Sequence, residues 1–208
     1  MSTPSEKLAQ SLEALKRLQK ESGATAIRSK DLSRTDRERL LANGFLQEVM
    51  KGWYIPARPD EKQGESTAWY TSFWRFCASY LDERFDDDWC LSPEQSITLH
   101  SGNWTVPKQL LVRNPKAGNK VINLPYNTSL LDVRSSLPPQ AQRVQNNGLR
   151  LFSLESALIG CSPNYFNQAP TDTRAALSML PDASSLLALL LDGGHSTIAG
   201  RLAGAFRN

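Results

Sequence analysis

The sequence predicts an α+β chain in two parts, an N-terminal winged helix-turn-helix followed by a larger mixed α/β domain. Three observations predict it. Helix-period apolar stripes run from Ser5 to Asn43 in pieces, and two strand-like runs, "FLQEV" and "WYI", follow directly across a short turn. The polar stretch "RPDEKQGE" (residues 58–65) then interrupts the pattern with Pro and Gly. Beyond Ser66, aromatic helix patterns and β-like runs alternate down to residue 208. The expected boundaries are 1–58 for the first domain, 59–65 for a linker and 66–208 for the second domain.

The first helix is justified by Leu8, Leu12, Leu15 and Leu18, spaced four and three apart between Ser5 and Ser22, with Gly23 as the stop. "TAIRS" (Thr25–Ser29) reads as extended, and Ser29 is placed to cap a turn carrying Asp31 and Leu32. Thr35 and Glu38 fit a T-x-x-E capping box that opens the next helix, with Leu40 and Leu41 inward. Asn43-Gly44 ends it. Phe45–Val49 and Trp53–Ile55 form a hairpin across Met50-Lys51-Gly52, where Gly52 supplies positive φ.

In the second part, Trp69, Phe73, Phe76, Cys77 and Tyr80 give a helix with a wide aromatic face, broken at Asp86–Asp88. Trp89–Leu91 is a short buried strand. Ser92 with Pro93 and Gln95 starts a helix to Ser101. Gln109–Arg113, Lys120–Asn123 and Ser129–Val133 are β-like, and Asn147-Gly148 marks a hairpin. Four helical segments close the pattern, 154–159, 171–180, 184–191 and 197–206, the last containing Gly200-x-x-x-Gly204 as a small-residue packing motif.

Composition narrows the function classes. Apolar residues make up 40% and charged residues 22%, which is the balance of a folded globular protein rather than a disordered one. The longest aliphatic run, Leu186–Leu191, falls far short of the roughly 20 residues that span a bilayer. The first twenty residues carry no apolar signal core, so the expected location is the cytoplasm and no membrane partner is expected. Cys77, Cys90 and Cys161 lack CxxC spacing, and with only His100 and His195 to add, no metal site or other cofactor is expected. His195 follows two glycines, in a turn suited to an anion.

The formal net charge is +3, and the segment from Thr25 to Arg58 carries seven cations against four anions, the same excess. Helix, wing and positive charge together point to double-stranded DNA, because a helix of this motif enters the major groove while the hairpin tip meets the flanking phosphates. The candidate DNA-binding residues are Arg28, Ser29, Lys30, Ser33, Arg34, Thr35, Arg37, Arg39 and Lys51. The arginines offer forked donors, the hydroxyls donate to phosphate, and the helix start presents unpaired backbone N–H groups. About five or six phosphate contacts are expected, each costing about 0.9 decade of affinity per decade of salt.

"LLANGFLQEVMKGWYIP" (Leu40–Pro56) resembles the signature that closes the winged helix of AbiEi-type antitoxins, which are autoregulators of type IV toxin–antitoxin systems. "WCLSPEQSITLHSG" (Trp89–Gly102) is similar to a strand and helix further along that family, so the resemblance spans roughly residues 5–113. Lys51 matches the family's basic residue before the wing glycine, whereas Glu48 departs from a basic residue often found earlier in the hairpin. Similar modules accompany Fic-type proteins, but the Fic motif itself is missing from this sequence. The resemblance implies a DNA-binding transcriptional repressor and antitoxin, of the kind used in phage defence. The expected partners are DNA of its own promoter, a cognate toxin protein and, on a repeated operator, a second copy as a homodimer. The alternative is a protein-docking or regulatory module of a Fic-like or nucleotidyltransferase-like partner that binds no DNA. The domain from Ser66 onward is then the docking half, with exposed residues near Trp69, Trp74 and Tyr80 as candidate contacts. No P-loop, GxSxG elbow, HExxH pair or nucleotidyltransferase motif occurs, and His100 reads as a helix-end packing residue, so no catalytic residues and no enzyme activity are expected.

Overall fold

A computed structural model describes residues 3–22, 25–60, 65–193 and 196–206. The chain is a mixed α+β protein that divides into two compact units. Unit 1 holds residues 1–84 and 123–128, and unit 2 holds residues 85–122 and 129–208. The helix after the expected linker therefore groups with the N-terminal elements. The linker's residues 61–64 lie outside the described residues.

Unit 1 begins with α1 (Pro4–Ser22), β1 (Ile27–Arg28), α2 (Arg34–Ala42), β2 (Leu46–Met50) and β3 (Trp53–Pro56). The strands form an antiparallel sheet in the order β1–β3–β2. Alternation places Tyr54 and Leu46 inward to meet Ile27, Leu32 and Leu40, and Leu15 of α1 closes the same cluster. Between β1 and α2 the chain makes the turn expected around Asp31, with the Asp31 N–H on the Arg28 carbonyl at 3.0 Å.

Gly44 stops α2 at φ +74, where a side chain is also unwelcome because a Cβ would lie 3.1 Å from Pro59 Cα. The β2–β3 hairpin turn is completed by Gly52 at φ +83, next to a register shift between Glu48 and Met50. Next comes α3 (Thr67–Phe85), which buries Trp69, Phe73 and Phe76 completely. Trp53 stands edge-on to Phe76 and Tyr80 at 5.8 and 5.5 Å between ring centroids, a favourable arrangement for aromatic quadrupoles. Trp69 is thus a core residue and not an exposed partner contact. Its Nε1 donates to Thr128 Oγ1 at 3.1 Å.

Unit 2 contains a four-stranded sheet in the order β4–β5–β7–β6, with β4 at Cys90–Leu91, β5 at Gln109–Asn114, β6 at Val121–Asn123 and β7 at Ser129–Arg134. The pair β5–β7 is parallel and β4–β5 antiparallel. Ser92 caps α4 (Pro93–His100), accepting the Gln95 N–H at 3.2 Å. Strands β8 (Arg143–Asn146) and β9 (Leu149–Phe152) form the hairpin expected at Asn147-Gly148, whose φ values of +50 and +81 suit its two-residue turn.

Five helices follow, α5 (Leu154–Gly160), α6 (Tyr165–Gln168), α7 (Pro170–Ser178), α8 (Ser184–Asp192) and α9 (Ser196–Phe206). Their apolar sides bury Leu158, Ala176, Leu186, Leu190 and Leu202 in one cluster with Cys90 and Ile97. The short α6 had no periodic signal, being a single turn. Among the described residues, a Cβ at either glycine of the Gly200-x-x-x-Gly204 motif would meet nothing within 4 Å. His195 lies outside the described residues. No described helix is long and apolar enough to cross a membrane, and no described group of His, Cys, Asp and Glu has the geometry to hold a metal ion.

Candidate nucleic-acid interface

The helix that carries half of the candidate cations starts two residues earlier than the sequence suggests. Ser33, at φ −59 and ψ 151, is the N-cap of α2; its Oγ accepts the Asp36 N–H at 3.1 Å and donates to Asp36 Oδ2 at 2.6 Å. The Thr35–Glu38 box is therefore corrected to Ser33–Asp36. The reason is local: Ser33 holds the extended backbone that a cap requires, and Asp36 falls at the third helical position. Ser33 is thereby committed to the helix, while Thr35 stays exposed.

Helical geometry separates the arginines of α2, because residues three or four apart share a face and residues two or five apart do not. Arg34 lies on the outer face, its side chain 83% exposed, with Nε donating to Glu38 Oε1 at 2.7 Å. Arg37 donates from Nη1 to the Ser29 carbonyl at 2.7 Å and lies over the Tyr54 ring at 5.7 Å. Arg39 turns toward α1. Its Nη1 donates to the Lys7 carbonyl at 3.0 Å and to Ser11 Oγ at 2.7 Å, and lies 3.6 Å from Asp36 Oδ1. Ser11 is fully buried and donates to Asp36 Oδ1 at 2.7 Å, so Arg39 belongs to a polar seam between the two helices. The expected single cationic face therefore loses Arg39.

The turn after β1 connects the remaining groups. The Ser29 N–H donates to the Gly52 carbonyl at 2.9 Å while the Ser29 carbonyl accepts from Arg37. One residue thus ties the wing tip to α2 and brings Ser29, Arg37 and the turn holding Lys51 together. Lys51 is exposed and has no ion-pair partner among the described residues. Arg28 and Lys30 converge on a carboxylate that sequence reading missed, Glu83 of α3. Lys30 Nζ is 2.9 Å from Glu83 Oε1, Arg28 Nη1 pairs with Glu83 Oε2, and Arg28 Nη2 is 3.1 Å from Asp31 Oδ1. Nothing local marks Glu83, which sits on the polar side of an otherwise aromatic helix, 55 residues from Arg28.

These pairings perturb the carboxylates in one direction. The hydrogen bond from Lys30, with the charges of Arg28 and Lys30, holds the Glu83 carboxyl below its ordinary range. Arg34 does the same to Glu38, and the Ser33 and Ser11 hydroxyls, then Arg39, do so to Asp36. A carboxylate bridging two cations sits where a backbone phosphate would bind, so Glu83 competes with any polyanion for Arg28 and Lys30. Lys51 remains exposed with no ion-pair partner among the described residues. Arg37 is half-buried, held by the Ser29 carbonyl and the Tyr54 ring with Glu38 near enough to feel its charge, and Arg34 is held only by an exposed helix pair that is weak in water.

His100 Nε2 lies 2.8 Å from the Phe152 carbonyl, a packing contact at the end of α4. The three cysteines are buried and form no disulfide, and burial pushes the Cys90 thiol up to about 12. Comparison with protein-family models, with curated proteins and with solved structures finds no match for this chain.

Proposed function

We propose that unit 1 is a winged-helix module that binds double-stranded DNA in its own promoter, making the chain a cytoplasmic transcriptional autoregulator and antitoxin. The observation that supports this reading is the Ser29 bridge, which sets the exposed start of α2, Arg37 and the Lys51 wing tip along one edge. That is the arrangement a groove-entering helix and a backbone-touching hairpin require. The motif resemblance at Leu40–Pro56 adds the antitoxin role and a toxin partner for unit 2. The number of outward cations lowers the expected phosphate contacts from five or six to about three, supplied by Arg34, Arg37 and Lys51. The test is a gel shift on DNA from upstream of the gene, with the doubly reversed variant Arg37→Glu/Lys51→Glu. Binding that vanishes in the variant supports the proposal, and binding that persists contradicts it.

A second reading is favoured by a specific observation. Arg28 and Lys30 are neutralised by Glu83, and Arg39 is committed to the α1–α2 seam. A module that docks a protein partner has no need of those charges outward, so loss of the gel shift in every form would leave docking as the function of unit 1.

A further inference from the structure

Unit 2 contains an arginine whose guanidinium makes no hydrogen bond among the described residues. Arg113, on β5, lies directly across from Cys90 on β4. Its guanidinium stacks over the Phe152 ring at 5.4 Å and makes no ion pair and no side-chain hydrogen bond among the described residues. The contact holds the guanidinium beside the ring while its N–H donors have no acceptor among the described residues, and a forked arginine of this kind can receive a two-oxygen anion. Arg113 stands in the wall of a cavity of about 730 Å³. The rest of that wall is mostly apolar, with Leu137, Phe152, Ile159 and Ile198, and it includes the hydroxyls of Ser136 and Thr197.

No carboxylate is among the lining residues, so nothing in the wall neutralises Arg113 or repels an anion. The contrast with a second concavity, about 500 Å³, is instructive: there Arg143 and Arg150 face Asp87 and Asp88, and Arg150 already pairs with Asp87. Size, apolar walls and one oriented cation match the usual make-up of a small-molecule site.

We propose that this cavity binds a small organic anion with an apolar body, its carboxylate seated on Arg113 and its body among Leu137, Phe152, Ile159 and Ile198. The site is independent of DNA binding by unit 1.

The test uses the full chain, octanoate as probe and octanamide as its uncharged counterpart, followed by amide chemical shifts. Octanoate should bind saturably, with a Kd on the order of 1 mM for so small a fragment, and shift residues around 113, 136, 159 and 197. Arg113→Gln should weaken octanoate about tenfold, the size of a lost charge-assisted hydrogen bond, and leave octanamide unchanged. Should that variant not fold, Arg113→Lys keeps the charge and loses the fork, and a smaller weakening is expected. Thr197→Trp, which fills the cavity, should abolish octanoate binding with Arg113 intact. The proposal is overturned if octanoate gives no shifts at these residues, if octanamide binds as tightly, or if folded Arg113 variants bind octanoate as the parent does.

Discussion

Most arginines of both units are held within the chain, and Arg113 of unit 2 stands apart from them. In unit 1, Arg28, Arg34, Arg37 and Arg39 each find an acceptor within the same unit, in Asp31 and Glu83, Glu38, the Ser29 carbonyl, and Ser11 with the Lys7 carbonyl. In unit 2, Arg113 has the face of Phe152 and, among the described residues, no side-chain hydrogen bond or ion pair. A count of cations along a segment therefore measures charge, and the pairing measures how much of that charge a ligand can reach. The segment richest in arginine holds most of it in internal contacts, while a single arginine in an uncharged wall remains open.

The comparison can be broken most forcefully through the framework beneath it. Leu40 is fully buried in the cluster that joins α1, α2 and the sheet, so Leu40→Ala should destabilise unit 1 by about 2–5 kcal/mol in chemical denaturation. DNA binding would be lost with it, whereas Lys51→Ala should leave stability within about 0.5 kcal/mol. Next in size is Arg39→Ala. Its side chain is 24% exposed and anchors the buried Ser11, so about 1–2 kcal/mol should be lost with no change in the salt dependence of DNA binding. A change in that slope would return Arg39 to the interface.

Glu83→Gln sharpens the contrast from the other side. Freeing Lys30, while Asp31 still holds Arg28, should add about one phosphate contact and steepen the salt slope by about 0.9. An unchanged slope would mean that the Glu83 pairs do not mask a DNA surface. The smallest expected effect is on acid stability. Because the folded-state Glu83 carboxyl is depressed, its contribution is present above the ordinary carboxylate range near pH 4.3 and is lost as pH falls through the folded value. The unfolding free energy should therefore decline more steeply between pH 6 and pH 3 for the parent chain than for Glu83→Gln.

Local chemistry was legible in the sequence. Ser92-Pro93 with Gln95, Asn43-Gly44 and Asn147-Gly148 fix caps and turns within a few residues, and each lies where expected. The cap of α2 was misplaced because Ser33 and Thr35 are both competent caps, and only backbone geometry at Ser33 decides between them. The parallel pairing of β5 with β7 joins Gln109 to Ser129, a contact set by chain path and not by either strand's composition.

At the candidate interface, the direction of Arg39 was available from the 100° step of a helix, which sets it well away from Arg34 and Arg37. Glu83 was not available, since a partner 53 residues from Lys30 leaves no trace in local spacing. The same holds for Arg113, whose role depends on which side chains fail to reach it.

The central claim is that unit 1 meets DNA through Arg34, Arg37 and Lys51 along the Ser29 edge. Titrating DNA from upstream of the gene with the full chain between 50 and 300 mM salt tests it most directly, by fluorescence anisotropy. The account predicts a plot of log affinity against log salt with a slope of about −2.7, one that falls toward zero in Arg37→Glu/Lys51→Glu. Affinity that is absent at 50 mM, or a slope that the double reversal leaves in place, would contradict it.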